Sequence, residues 1–145
     1  MSRHADTRAA AVIAFFEQML PGDVAGLQRL YTEQAFFKDP FNEVHDLAGV
    51  QRIFAHMFES LAEPRFEVLD ALVQGEQCFL SWDFRFRLKG QVEPRQIHGS
   101  SHLRFAPDGR IAYHRDYWDA AEEFYEKLPL LGALLRWIKR RLRVG

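Results

Sequence analysis

This chain has little that could cross-link it or carry it through a membrane. Cys78 is its one cysteine, so no internal disulfide can form, and that usage fits a reducing compartment such as the cytoplasm. Cys78 sits in an apolar-alternating run, where a buried and inert thiol is expected rather than a nucleophile. No apolar run has the length of a membrane span. The start, Met1 to Asp6, is short and polar, and the apolar run after it has helical period without a cleavage site, so no secretory signal is expected. A nucleophile elbow, a phosphate-binding glycine loop and the Cys/His spacing of a metal centre are also missing. His98 and His102 come nearest to a ligand pair, but four residues of strand hold them about 13 Å apart. Neither a metal nor a cofactor is expected.

Basic charge is scarce everywhere but at the C-terminal end. Of 19 Lys and Arg, five (Arg136, Lys139, Arg140, Arg141 and Arg143) fall in the last ten residues, which leaves 14 against 20 acids and a net of −6 for residues 1–135. A body of that sign is a poor nucleic-acid binder, and no such partner is expected. What the chain has in quantity is rings: 13 Phe, 4 Tyr and 3 Trp in 145 residues. That supply fits either a filled core or a ring-lined pocket for an apolar ligand.

The length allows one domain over residues 1–145. Helical period runs from Thr7 to Leu20, with Pro21-Gly22 ending it, and a second helix is expected after Asp23 as N-cap, carrying Val24, Leu27, Leu30 and Tyr31 inward. A strand over Phe36 to Asp39 and a loop from Asn42 to Asp46 lead to a third helix, about Leu47 to Leu61, closed by Pro64. The period then changes. Phe66 to Val73, Gln77 to Leu88, Gln96 to Phe105 and Ile111 to Trp118 read as strands, separated by Gly75-Glu76, Lys89-Gly90 and Pro107-Asp108-Gly109. Leu80, Trp82, Phe84, Phe86 and Leu88 share one face of the second of these; Ser81, Asp83, Arg85 and Arg87 share the other. A last helix starts near Ala120. The order predicts an α+β domain with a curved, mainly antiparallel sheet around N-terminal helices.

Within this frame Phe36-Phe37-Lys38-Asp39-Pro40-Phe41-Asn42 sets a carboxylate among rings at a strand end. Removing water from an ionised Asp raises its pKa and makes it a usable proton acceptor. Asp-Pro also simply starts a turn. Alternation through the last strand sends His114, Asp116 and Trp118 to one side, where Asp116 and His114 either satisfy each other or work as a proton-transfer pair. His98 and His102 fall with Ser100 and Arg104 on the convex face. His45 and His56 are expected to be exposed or locally bonded.

Pro21-Gly22-Asp23 between two helices, Phe37-Lys38-Asp39-Pro40 after them, and Leu103-Arg104-Phe105 followed by Asp108-Gly109 and Arg115-Asp116-Tyr117-Trp118-Asp119 together resemble the nuclear transport factor 2-like superfamily. That superfamily includes ketosteroid isomerase, limonene epoxide hydrolase and SnoaL-like polyketide cyclases. The resemblance implies a cone-shaped, cystatin-like α+β roll, commonly homodimeric, with an apolar pocket between the concave sheet face and the helices. It places Asp39 at the general base of ketosteroid isomerase, but Phe15 and Ser101 where that enzyme has its two oxyanion donors. Asp116 matches one acid of the epoxide hydrolase arrangement, while Leu80 and Trp82 fall at its other two positions, and Asp83 and Arg85 point to the opposite face. Expected catalytic residues are therefore Asp39, Asp116 and His114. Phe15, Met19, Phe37, Phe54, Phe58, Leu80, Trp82, Phe84, Ser101 and Trp118 are expected to bind the ligand.

Residues 120–145 add a basic amphipathic helix. Leu130, Leu131, Leu134, Leu135, Ile138 and Leu142 form an apolar stripe flanked by Trp137, so the helix either packs on its own domain or dimer mate, or touches an anionic membrane peripherally. Three functions follow for the domain as a whole. It is a cofactor-independent isomerase, cyclase or hydratase acting on a small hydrophobic molecule through Asp39, a non-catalytic carrier or sensor of such a ligand, or a dimeric protein-interaction module.

Overall fold

The computed structural model describes residues 4–123 and 129–144. Helix α1 (Thr7–Gln18) begins where the side chain of Asp6 accepts from the amides of Arg8 and Ala9. The Arg8 guanidinium, hydrogen-bonded to the same carboxylate, holds Asp6 at about 2, below the usual carboxylate range. Arg8 also donates to the carbonyl of Gly75 and lies over the Phe105 ring, which ties the start of α1 to the sheet. Ala9, Val12, Ile13 and Phe16 recur at the spacing of one helix face and are buried.

The second helix departs from expectation. Residues Pro21–Arg29 form a 3₁₀ helix, and Asp23 is not its N-cap but lies three residues in, accepting from the amide of Leu20. The tighter winding ends the helix early, so Tyr31 opens a strand instead of closing a helix: β1 runs Tyr31–Lys38, longer than the expected segment. A two-residue strand, β2 (Glu43–Val44), occupies what reads in sequence as loop. Helix α2 (Leu47–Ser60) follows, capped by Asp46. Pro64 does not sit beyond that helix in a turn. It lies within β3 (Leu61–Gln74), beside a register shift at which Glu63 adopts a positive φ.

Strands β4 (Gln77–Leu88) and β6 (Ile111–Trp118) match their expected bounds, while β5 starts two residues early (Pro94–Phe105). The sheet order is β2-β1-β6-β5-β4-β3, antiparallel except for β1 beside β6. Gly75 turns the β3–β4 hairpin at φ 59, a conformation that side chains resist. A second register shift, near Val68, leaves an amide that the Glu17 carboxylate of α1 accepts. Helix α1 packs on β3, and α2 on β1, β3 and the 3₁₀ helix, so the sheet curves around both.

On β4 the buried side is Cys78, Leu80, Trp82 and Phe84. Burial pushes the Cys78 thiol up to about 11, as befits an inert core thiol. On the outer side Asp83 binds His98 at 2.8 Å, with Arg85 beside it. The chain continues into α3 (Ala120–Glu123) and α4 (Pro129–Leu142); the part of the expected last helix over 124–128 lies outside the described residues. None of the described helices is long and apolar enough to cross a membrane.

Gly99 holds a position no other residue fits. A Cβ there would stand 2.6 Å from Cη2 of Trp82 and 2.9 Å from the carbonyl oxygen of Tyr117. Gly99→Ala should therefore destabilise the fold by about 1–3 kcal/mol through overpacking. Urea denaturation measures it; a loss below about 0.5 kcal/mol, the range of neutral surface changes, would mean that Trp82 is free to move.

Candidate functional site

The site is built from the ends of β1 and β6. Because these strands run parallel and in register at Phe37 and His114, the turn after β1 comes beside the last residues of β6. In that turn Asp39 makes an Asx arrangement: its Oδ1 accepts from the amides of Phe41 and Asn42 at 2.8 and 2.7 Å. The Asn42 side-chain amide reaches both carboxylate oxygens at 3.2 Å. Asp39 thus starts a turn, as Asp-Pro predicts, and also borders a cavity. The turn also brings Phe41 edge-on to Trp118, with ring centroids 5.5 Å apart.

A cavity of about 630 Å³ opens between α2 and the concave sheet face. Asp39 and Asp116 both line it, with Phe37, Phe54, Phe66, Trp82, Phe84 and Trp118 among its rings and Arg52 and His56 toward α2. Its inner end meets a small void of about 20 Å³ bordered by Phe16, Leu80, Ser101 and His114 as well as Asp116. Three residues expected at the ligand lie elsewhere. Met19 and Phe58 line a neighbouring groove with Phe86, on the far side of Phe16. Phe15 borders none of these cavities; it packs edge-on against Phe16, and Phe16 supplies the wall beside the void. The displacement is one residue along α1, about 100° of rotation, which is enough to exchange an inward for a sideways position.

Behind the cavity runs a continuous chain of buried hydrogen bonds. Trp82 Nε1 donates to Ser101 Oγ at 2.8 Å, and Ser101 Oγ donates to Asp116 Oδ1 at 2.5 Å. His114 Nε2 meets the same Oδ1 at 2.6 Å, and its Nδ1 meets the Tyr31 hydroxyl at 2.7 Å. Burial, and then the charge of Asp116, raise the Tyr31 phenol well above its ordinary range, so it keeps its proton. Among the described residues Nδ1 of His114 is the acceptor within reach of that buried proton, so the hydroxyl donates to Nδ1, and the imidazole carries its own proton on Nε2, facing the carboxylate. This tautomer leaves every member satisfied, as burial demands. Rings of Tyr31, Phe37 and Phe16 surround the imidazole at 6.0, 4.6 and 5.8 Å.

A sequence signature for the SnoaL-like domain matches residues 12–114, most of the chain. This chain belongs to the SnoaL-like family. The SnoaL-like fold recurs in solved structures at low identity. One is a hypothetical protein with a ketosteroid isomerase-like fold from Catenulispora acidiphila, 14% identical, with a TM-score of 0.70 over 83% of this chain and 91% of that one. Another, a nuclear transport factor 2-like protein of unknown function from Burkholderia pseudomallei, is 18% identical at a TM-score of 0.70, covering 81% and 94%. A putative SnoaL-like polyketide cyclase of Shewanella denitrificans is 17% identical at 0.64, covering 77% and 88%. No curated protein matches the sequence.

Sequence reasoning missed Tyr31, read as helical, although a tyrosine among core positions always needs a partner for its hydroxyl. It also missed Phe66 as a wall and Arg52 as a cation at the cavity. Tyr31→Phe keeps the ring and removes the donor, leaving Nδ1 of His114 buried and unpaired. The expected loss of stability is about 1–3 kcal/mol. Denaturant titration checks it, and an unchanged midpoint would mean that the hydroxyl carries no hydrogen bond.

Proposed function

We propose that this SnoaL-like domain binds a small apolar molecule in the Asp39–Asp116 cavity and moves a proton on it, as a cofactor-independent isomerase, cyclase or hydratase. The observation that carries the reading is that two carboxylates from distant parts of the chain line one ring-walled cavity. They are not equivalent. Oδ1 of Asp116 already serves two donors, Ser101 and His114, and is fixed by them. Asp39 uses Oδ1 for its turn, while its Oδ2 meets one long contact from Asn42. Oδ2 of Asp39 is thus the oxygen able to take a proton from carbon beside a carbonyl, or from water, and return it to the product. Asp116, positioned by His114, sets the charge and polarity of the facing wall. A base held in this way contributes roughly 10²–10⁴-fold to rate.

A carrier or sensor of a hydrophobic ligand is the second reading, and a specific feature favours it. Trp82 Nε1 and Ser101 Oγ, the donors on the inner wall, are committed to the internal chain, and Phe16 offers no hydrogen bond at all. Donors aimed at a developing oxyanion supply much of the catalysis in enolate chemistry. Pairing with a second copy belongs to this proposal too, through the convex face where Leu72 and Phe79 lie opposite each other across β3 and β4 and remain exposed.

A panel of enones, epoxides and polyketide-like compounds separates the readings. Turnover that Asp39→Asn lowers by about 10²-fold or more, with ligand binding retained, is the expected result. Tight binding without turnover by the native chain would replace the enzyme with the carrier, and no binding of any apolar compound would overturn both.

A further inference from the structure

The proton-transfer site leaves α4 unused, and its chemistry is of another kind. Helical spacing gathers Trp137, Leu130, Leu134, Ile138, Leu131 and Leu142 on one side of Pro129–Leu142. That side is open: Leu130 is 88% exposed, Leu134 52%, Trp137 49% and Leu142 78%. The residues of α4 with least exposure, Gly132, Leu135 and Lys139, lie along one flank of that side, and Leu135 is the one leucine of the stripe that is partly covered. An amphipathic helix in a globular protein ordinarily turns its apolar side to the core. Here it is turned away.

What surrounds the apolar side identifies its occupant. Residues 129–144 hold five basic side chains and no acid, whereas residues 1–135 carry a net of −6. Arg136, Arg140 and Arg143 fall opposite the leucines, and Arg141 sits at the apolar side with its guanidinium over the Trp137 ring, 5.1 Å from the centroid. A helix with leucines on one side, three arginines on the other and a fourth laid back on a boundary tryptophan matches the layering of a bilayer surface, with acyl chains below and phosphates above. Fourteen residues extend about 21 Å, too short to span the bilayer and sufficient to lie in it. A second copy of this chain could meet the leucines with its own α4, but that pairing would set two helices of like basic charge against each other.

We propose that α4 lies flat in the headgroup region of an anionic membrane, its leucines and Trp137 immersed and its arginines on lipid phosphates. The partner is thus a bilayer rich in phosphatidylserine or a similar acidic lipid. This inference stands apart from the proton-transfer reading, since it uses none of the cavity residues.

Co-sedimentation of the full chain with vesicles tests it, using phosphatidylcholine alone and phosphatidylcholine with about 30% phosphatidylserine. The expected result is binding to the anionic vesicles, at least about tenfold weaker on phosphatidylcholine alone and weakened by salt. Removing two charges with Arg140→Gln and Arg143→Gln should lower partitioning about 25-fold, at roughly fivefold for each basic residue. Leu134→Asp with Ile138→Asp should abolish it, while circular dichroism and the unfolding midpoint stay unchanged because both positions are exposed. Absence of binding to either vesicle overturns the proposal, as does equal binding by the aspartate variant. A dimer seen in sedimentation equilibrium, lost in that variant and without any vesicle binding, would also overturn it and assign the leucines to a second copy.

Discussion

The hydrogen-bonded line from Tyr31 through His114, Asp116 and Ser101 to Trp82 is the constraint on which the site depends. It joins β1, β6, β5 and β4 across the concave face of the sheet, so the strands cannot shift register without leaving buried polar groups unpaired. It also fixes a carboxylate at the edge of an apolar cavity, a place that would otherwise favour removal of the charge or rotation of the side chain into water. The same bonds that stabilise the sheet therefore aim Asp116, and fold and site cannot be altered separately there.

Backbone geometry does the rest of the positioning. Parallel pairing of β1 with β6 brings the Asp39 turn beside Asp116, although 77 residues of chain separate the two. Antiparallel neighbours supply the walls: β4 contributes Trp82 and Phe84, and Gly99 in β5 leaves room for the Trp82 ring. The cavity is thus a gap between α2 and the curved sheet, walled by the rings of Phe37, Phe54, Phe66, Trp82, Phe84 and Trp118.

Much of this was legible in the residues, for identifiable reasons. Period-two alternation gave the faces of β4 and β6 correctly, because half-buried antiparallel strands follow that period closely. That His114, Asp116 and Trp118 share a side came from that alternation, that the side faces inward came from the family resemblance, and the fold class came from helices preceding a run of strands. Helix faces were less secure. A one-residue offset exchanged Phe15 for Phe16, and Met19 and Phe58 were drawn to the right layer but the wrong cavity. Tyr31 was lost because Val24, Leu27 and Leu30 recur every third residue, a spacing that both an α-helix and a 3₁₀ helix accept, and nothing in that pattern marks the end of the helix before Tyr31. Whether α4 covers its leucines was open in sequence, since amphipathicity gives the existence of an apolar side and not what meets it.

Long-range proton–nitrogen NMR on His114 in the native chain tests the central interaction most directly. A neutral imidazole protonated on Nε2, with Nδ1 carrying the shift of a hydrogen-bonded acceptor and no tautomeric averaging, is the predicted result. A proton on Nδ1 would contradict it, because Tyr31 could not then be the donor, and so would two nitrogens averaging like an imidazole in water, because neither partner would then hold the ring.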